Sequence, residues 1–248
     1  DIACDASFET VGALRDHVDG PVAEEKKELP VEKRNAFITG LAKHFGALDV
    51  GITELRSDHI YSHIGRGEGV WGAKIELNHA HAIAITTEMR QENIAPAPHQ
   101  PIMAESAVQY ANIGLTAVML AKAIRAMGYE ARAHIDGNYR VICPLIARDA
   151  GLGEIGRHGM LITPDYGPRV RLAVVTTNLP LDNHIYQPAD GILDFCERCK
   201  KCAVCCPAKA IPTGDRVEIN GALRWQIDQE QCYQFWRRSG TDCGRCMA

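Results

Sequence analysis

The stretch Cys196-Glu-Arg-Cys199-Lys-Lys-Cys202-Ala-Val-Cys205-Cys206-Pro207 decides how the rest of the chain is read. Through Cys196, Cys199, Cys202 and Cys206 it spells C-x2-C-x2-C-x3-C-P, the run that holds 4Fe–4S clusters in bacterial ferredoxins. Three thiolates on a tight loop cap three irons of one cube. The fourth, at the start of the next element, points to a second cluster. Cys232, Cys243 and Cys246 supply three more thiols, the last two spaced C-x2-C. One cluster is then complete with Cys206, Cys232, Cys243 and Cys246. The other takes Cys196, Cys199 and Cys202, and the x3 spacing puts its fourth thiolate about four residues past Cys246. The sequence is therefore expected to be a fragment, and its start at Asp1 without a methionine agrees.

Disulfides suit small scaffolds in oxidising compartments, and seven cysteines in this order make a poor disulfide set. Zinc sites show two C-x2-C pairs rather than a triplet followed by C-P. Cys205 is expected to be a buried thiol supporting the site, and Cys4 and Cys143 ordinary buried cysteines.

Eight of the ten cysteines fall between 196 and 246, so the composition changes sharply along 248 residues. Elsewhere usage is that of a globular protein, with 46% hydrophobic and 23% charged residues. The formal net charge of −4 argues against a dedicated nucleic-acid binder. No apolar run approaches the roughly 18 residues of a membrane span, and no signal-peptide pattern is present.

Residues 1–34 are polar, with the charge run Glu24-Glu-Lys-Lys-Glu28, and are expected to form an exposed helix or linker. Residues 35–46 carry Phe37, Ile38, Leu41, Ala42 and Phe45 at helical spacing. Residues 47–53 and 81–87 read as strands, and the glycine-rich 64–72 as loop. A long helix is expected over 104–127 with Gly128 as its stop. Strands follow at 130–135 and 170–177, with a turn at 136–138 and a short helix within 141–150. Strands and helices mix without strict βαβ alternation, which predicts an α+β fold. The polar stretch 182–190 marks a boundary. The expected division is an extension over 1–34, a main domain over 35–190 and an iron–sulfur domain over 191–248.

Gly151-Leu-Gly153-Glu-Ile-Gly156 matches G-x-G-x-x-G. A dinucleotide site needs a strand before it, a helix opening on it and an acidic residue further on. Helical character precedes it here, and 170–177 holds no acid, so the NAD reading is rejected.

The block from Ala150 to Leu181, taken with the cysteine run, resembles the corrinoid-dependent reductive dehalogenases. Tyr61-Ser-His-Ile-Gly-Arg66, Glu88-Met89, Glu105-Ser106 with Tyr110, and Ile124-Arg-Ala-Met-Gly-Tyr129 agree with it. The resemblance covers roughly residue 45 to the end. It implies a nitroreductase-like corrinoid-binding core, a ferredoxin-like domain with two 4Fe–4S clusters, and a cobamide bound base-off. The D-x-H-x-x-G pattern of base-on cobalamin proteins is absent, and His79 and His81 read as core or edge histidines.

The implied reaction replaces halogen by hydrogen, with two electrons and one proton: R–X becomes R–H plus halide. The clusters pass single electrons to the cobamide, which reaches Co(I). In the family a tyrosine gives the proton beside a basic residue. Tyr110 matches the tyrosine and Arg169 the basic position, with Arg171 the alternative if the register shifts. Asn138 matches a pocket residue that hydrogen-bonds the tyrosine, although its sequence context is simply that of a turn. Gly151, Gly153 and Gly156 are expected to allow close approach of the cofactor. Tyr166, Trp71 and His158 are further candidates for a pocket wall.

The implied partners are an organohalide and a reduced donor, whether ferredoxin, flavodoxin or a membrane quinol system. A separate membrane anchor protein belongs to the same expectation, and no nucleic acid does. Localisation follows the upstream signal: the outer face of the cytoplasmic membrane with a twin-arginine leader, the cytoplasm without one. Two other readings compete. An epoxyqueuosine-reductase-like enzyme shares the cofactor plan but acts on tRNA, and calls for a basic face and an acidic proton donor. A non-enzymatic two-cluster carrier would not need about 190 residues ahead of its clusters.

Overall fold

The computed structural model describes residues 1–219, 221–240 and 242–248. The chain opens with helices α1 (Ile2–Leu14) and α2 (Val31–His44), strands β1 (Val50–Glu54) and β2 (His81–Glu88), and the one-turn α3 (Gln91–Ile94). The long helix α4 (Pro101–Ala126) leads into β3 (Ala131–His134), α5 (Cys143–Asp149) and the small hairpin β4–β5 (Glu154–Ile155, Leu161–Ile162). Strand β6 (Val170–Thr177) closes the sheet. Beyond it come α6 (Asp190–Cys199), α7 (Lys201–Val204), the hairpin β7–β8 (Val217–Ile219, Ala222–Arg224) and α8 (Gln229–Ser239).

The order β1-β2-β6-β3 is antiparallel throughout, with Ile83 opposite Val175 and Thr87 opposite Arg171. Both faces of the sheet are covered, so β2 and β6 read as continuous apolar runs rather than alternating ones. Ile83, Ile85, Ala173 and Val175 pack beneath α4 and α2, whereas Ala82, Ala84 and Val174 pack against Ile146 and Ala147 of α5. The architecture is mixed helix and sheet, in agreement with the α+β expectation.

Helix α4 is long and apolar enough to cross a membrane, at a mean hydropathy of 1.3, contrary to the expectation that no such run exists. Here it is the core helix, burying Ile113, Ala117, Leu120, Ala121 and Ile124 among others. It ends where expected. Gly128 adopts φ +85°, and a Cβ there would meet the Glu25 carbonyl oxygen at 2.6 Å.

Residues 1–34 are more than an exposed extension. Helix α1 packs along α4, burying Cys4 and Val11, and Val18 lies in the main core. The Arg125 guanidinium donates to the carbonyls of His17, Val18 and Ala131, tying this segment to α4 and β3. The charge run 24–28, within the exposed stretch 19–28, keeps the exposure that its composition implies.

Candidate active site and cysteine pockets

Tyr110 stands one turn beyond Ser106 on α4. This end of the helix is pinned by Glu105, buried at 2% exposure, whose carboxylate accepts from Arg90 N, Asn93 Nδ2 and Gln109 Nε2 at 2.9, 2.6 and 3.0 Å. Arg171 reaches across from β6. Its guanidinium carbon sits 4.7 Å from the centre of the Tyr110 ring, and Nη2 donates to Ser106 Oγ at 2.5 Å. Burial pushes the Tyr110 phenol above its ordinary value, and Arg171 opposes that shift by stabilising the phenolate. The phenol is thus protonated at neutral pH, beside a charge that eases loss of its proton.

Arg169 does not occupy this position. It precedes β6, its carbonyl accepts from Met89 N, and its Nη1 donates to Glu88 Oε1 at 2.9 Å and to Met89 O at 3.0 Å. The pairing with the end of β2 commits Arg169 to Glu88, and Arg171 is the residue delivered to α4. Asn138 is fully buried in the turn after β3, where Oδ1 accepts from Arg132 Nη2 at 3.0 Å. Its Nδ2 has no partner, and no hydrogen bond joins it to Tyr110 among the described residues. The expected contact between Asn138 and the tyrosine is therefore not formed.

The three glycines of the G-x-G-x-x-G block serve local packing. The block follows α5 and enters β4, the reverse of the strand–loop–helix order that a dinucleotide requires. A Cβ at Gly153 would run into the Ile162 carbonyl, and one at Gly156 would meet Ile162 Cδ1 at 2.5 Å. A Cβ at Gly151 would meet the His184 ring.

A cavity of about 190 Å³ opens beside Tyr110, with Tyr61, Tyr139, Met160, Arg171 and Leu172 in its walls. It is aromatic and apolar, holds no carboxylate among its lining residues, and also exposes Cys143, whose thiol burial pushes up to about 12. Arg171 Nε is buried without a partner, a donor available to a bound group. Of the other wall candidates, Trp71 is 78% exposed and Tyr166 packs beneath α5.

Met160 and Arg171 also border a second cavity of about 340 Å³, lined by Cys206, Cys232, Cys243 and Cys246. A third, of about 540 Å³, is lined by Cys196, Cys199, Cys202 and Cys205, and Cys246 borders both. His158 lies in the walls of both cysteine cavities. The backbone arranges this: Cys196 and Cys199 sit on α6, Lys200 turns the chain in a left-handed conformation at φ +51°, and Cys202 follows on α7. All ten thiols are free. Among the described residues no three Cys, His or acidic side chains converge on a single metal ion, so the thiols ring pockets rather than a point. Burial pushes the Cys202 thiol to about 11 and that of Cys246 to about 12, so these thiolates need a strong positive centre beside them. Such a donor set fits a polynuclear iron core better than a lone zinc ion. Cys205 keeps its sulfur on the carbonyls of Cys202 and Arg245, in line with a supporting thiol.

Sequence reasoning missed Arg157. It is 2% exposed, donates to the carbonyls of Cys196, Pro212 and Gly214, and lies 4.6 Å over the Trp225 ring. Its place directly after Gly156, in the block that carries the family resemblance, was the available signal.

No protein-family profile matches the chain. It is similar to the tetrachloroethene reductive dehalogenase of Sulfurospirillum multivorans, 39% identical over 168 residues, which cover 64% of this chain and 33% of that protein. Among solved structures, the catabolic reductive dehalogenase NpRdhA in complex with 3-bromo-4-hydroxybenzoic acid matches 98% of this chain and 36% of its own, at TM-score 0.88 and 29% identity. A second reductive dehalogenase, described for B12-dependent dehalogenation, matches 96% of this chain and 35% of its own at TM-score 0.84 and 31% identity. The chain thus spans about a third of the length of these relatives. Similarity to epoxyqueuosine reductase is weaker: 38% identity over 90 residues with the Bacillus subtilis protein, and a shared fold at 16% identity and TM-score 0.54.

Proposed function

This chain is a relative of the reductive dehalogenases, and from that premise we propose that the protein replaces halogen by hydrogen on an organohalide. The observation that carries the reading is Arg171 stacked on Tyr110, in a cavity that shares Met160 and Arg171 with one thiol-lined cavity, which in turn shares Cys246 with a second. The balance is R–X plus two electrons and one proton giving R–H and halide. The relatives' names span a chloroalkene and a bromoarene, so the proposal stays at the level of the carbon–halogen bond.

The proposed cofactors are a base-off cobamide and two 4Fe–4S clusters; the cavity at Tyr110, about 190 Å³, is of a size for a small organohalide rather than for the cobamide itself. Cys206, Cys232, Cys243 and Cys246 would hold one cluster, and Cys196, Cys199 and Cys202 would supply the other. When bound, these groups bring low-potential electrons to the carbon–halogen bond. Everything else falls to the chain. Tyr110 holds the proton at its phenol oxygen and gives it to the carbon that loses halide. Arg171 receives the phenolate charge as it forms, a guanidinium being a cation that burial does not discharge. Positioned proton transfer of this kind contributes about 100-fold to 10,000-fold in rate. The aromatic walls exclude water, and the cavity offers no acidic donor of the kind that tRNA chemistry would require. Gly153 and Gly156 act indirectly, by allowing the hairpin that brings Met160 and Leu161 into the cavity wall, and Gly151 makes room for the His184 ring.

In this scheme residues 35–190 form a nitroreductase-like core, residues 191–248 belong to a ferredoxin-like unit, and 1–34 buttress the core. The electron source is a ferredoxin, a flavodoxin or a quinol system. The test uses the complete protein, purified anaerobically and reconstituted. Bound corrinoid, iron near eight per chain (two four-iron clusters), and halide release from an aryl or alkyl halide are expected. A complete protein that retains no corrinoid, or acts on a tRNA stem loop and on no organohalide, overturns the proposal.

A further inference from the structure

Ser106 is fully buried, and its hydroxyl is hydrogen-bonded to groups of opposite charge. Its oxygen accepts from Arg171 Nη2 at 2.5 Å, and the side chain is hydrogen-bonded to the carboxylate of Asp242. A serine hydroxyl has one proton to donate and lone pairs to accept with, so both functions are used. Ser106 precedes Tyr110 by four residues on α4, which places both side chains on one helix face. The Arg171 guanidinium spans that step, bonded to the serine at one end and lying over the tyrosine ring at the other. Asp242 directly precedes Cys243.

We propose that Ser106 is a positioning residue, which holds Arg171 over Tyr110 and ties that placement, through Asp242, to the loop carrying Cys243. The inference rests on the proton-donor reading above and adds to it a link between the acid and the cysteine loop. Without the hydroxyl Arg171 Nη2 loses the acceptor that holds it, while the Asp242 charge still acts on the guanidinium. The guanidinium would then relax toward the carboxylate, and the phenol would lose the cation that favours its ionised form. The other charges facing Tyr110 are Arg66, which aids ionisation, and Asp136, which with Asp242 opposes it; Tyr139 faces it as well. Arg15 and Arg66 pair with Asp136 at 3.4 and 3.5 Å, so Arg171 is the cation whose placement the serine controls.

The experiment compares Ser106→Ala and Ser106→Thr in the complete, reconstituted protein. Two quantities are read: kcat and KM for halide release, and the ionisation of a fluorinated tyrosine at position 110, followed by its 19F resonance. Ser106→Ala is expected to lower kcat about tenfold at unchanged KM and to raise the phenol pKa by about one unit, the same 1.4 kcal/mol read two ways. Ser106→Thr, which keeps the hydroxyl, is expected to restore both. An unmoved 19F titration in Ser106→Ala overturns the proposal, as does equal impairment by Ala and Thr, which would make the position one of packing alone. Failure of the proton-donor reading is seen separately, as full activity in Tyr110→Phe, while the 19F shift still reports on Ser106.

Discussion

The sheet and the cysteine region are built on different principles. Around β2 and β6 the side chains of Ala82, Ile83, Ala84, Ile85, Ala173, Val174 and Val175 are fully buried, covered by α4 on one face and α5 on the other. Burying such side chains is worth about 1.5–3 kcal/mol each for the larger ones, so this region carries its own stability. Among the described residues of 190–248 the buried apolar cluster is small, formed by Leu193, Cys196 and Trp225. Helix α8 has no buried residue, Phe195, Val204 and Tyr233 stay exposed, and the inner volume is ringed by thiols. Trp225 and Arg157 supply the principal packing anchor, the arginine crossing from the β4–β5 hairpin to bond four carbonyls of the cysteine region. One region is held by carbon. The other, on the function proposed above, would be held by its clusters, as structural metal sites often are. The proposed acid, Tyr110, lies at the seam.

The largest effect should come from taking away that content. Anaerobic iron chelation is expected to abolish turnover and strip amide-exchange protection from residues 190–248, while β2, β6 and α4 keep theirs. Hydrogen exchange followed by mass spectrometry reads both regions at once. Equal loss of protection in the sheet would erase the proposed distinction.

Next comes Arg157→Leu. Leaving four carbonyl contacts without their donor should destabilise the cysteine region by a few kcal/mol, each lost partner costing about 1–3 kcal/mol. The expected readout is iron loss at lower temperature with little change in the core transition. An unchanged temperature of iron loss would remove Arg157 as the tie between the regions.

The two arginines of β6 and its approach sharpen the comparison further. Arg171→Gln is expected to cut kcat about 100-fold, the scale of losing one transition-state donor. Arg169→Gln, which gives up the pairing with Glu88 and the bond to the Met89 carbonyl but no contact with Tyr110, should cost about threefold or less in kcat. Comparable losses in the two variants would return the catalytic role to Arg169.

The smallest effect concerns pH and the core alone. His134 has no exposure, accepts from Arg140 N at Nδ1 and contacts Thr176 Oγ1 through Nε2 at 2.9 Å. Burial, aided by Arg132, holds its pKa well below the ordinary value. The unfolded state therefore binds a proton that the folded state refuses. Core stability should be level above about pH 6.5, the unfolded histidine pKa, and fall as pH drops below it. His134→Gln should flatten that slope in denaturant titrations; a slope that persists assigns the effect elsewhere.

Much of this architecture was legible in the residues. The helical spacing of Phe37, Ile38 and Leu41, the long apolar run ending at Gly128, and Val170–Thr177 each produced the element expected. The cysteine spacing put Cys206, Cys232, Cys243 and Cys246 together, and they line one pocket; the other pocket adds Cys205 and Cys246 to Cys196, Cys199 and Cys202. The failures share a cause, because each depended on contacts distant in sequence. Cys4 and Val11 are too sparse to mark α1 as packed until α4 lies against it. Arg169 and Arg171 look alike in a string, and the β2–β6 pairing assigns one to Glu88 and the other to Tyr110. Ser106 and Asp242 lie 136 positions apart, and only the folded chain brings them together.

The most direct test of the account is halide release by the complete, reduced protein, measured beside its Tyr110→Phe variant with corrinoid and iron determined on the same samples. The account predicts equal cofactor content and a rate lowered at least about 100-fold in the variant. Equal rates at equal cofactor content would contradict it.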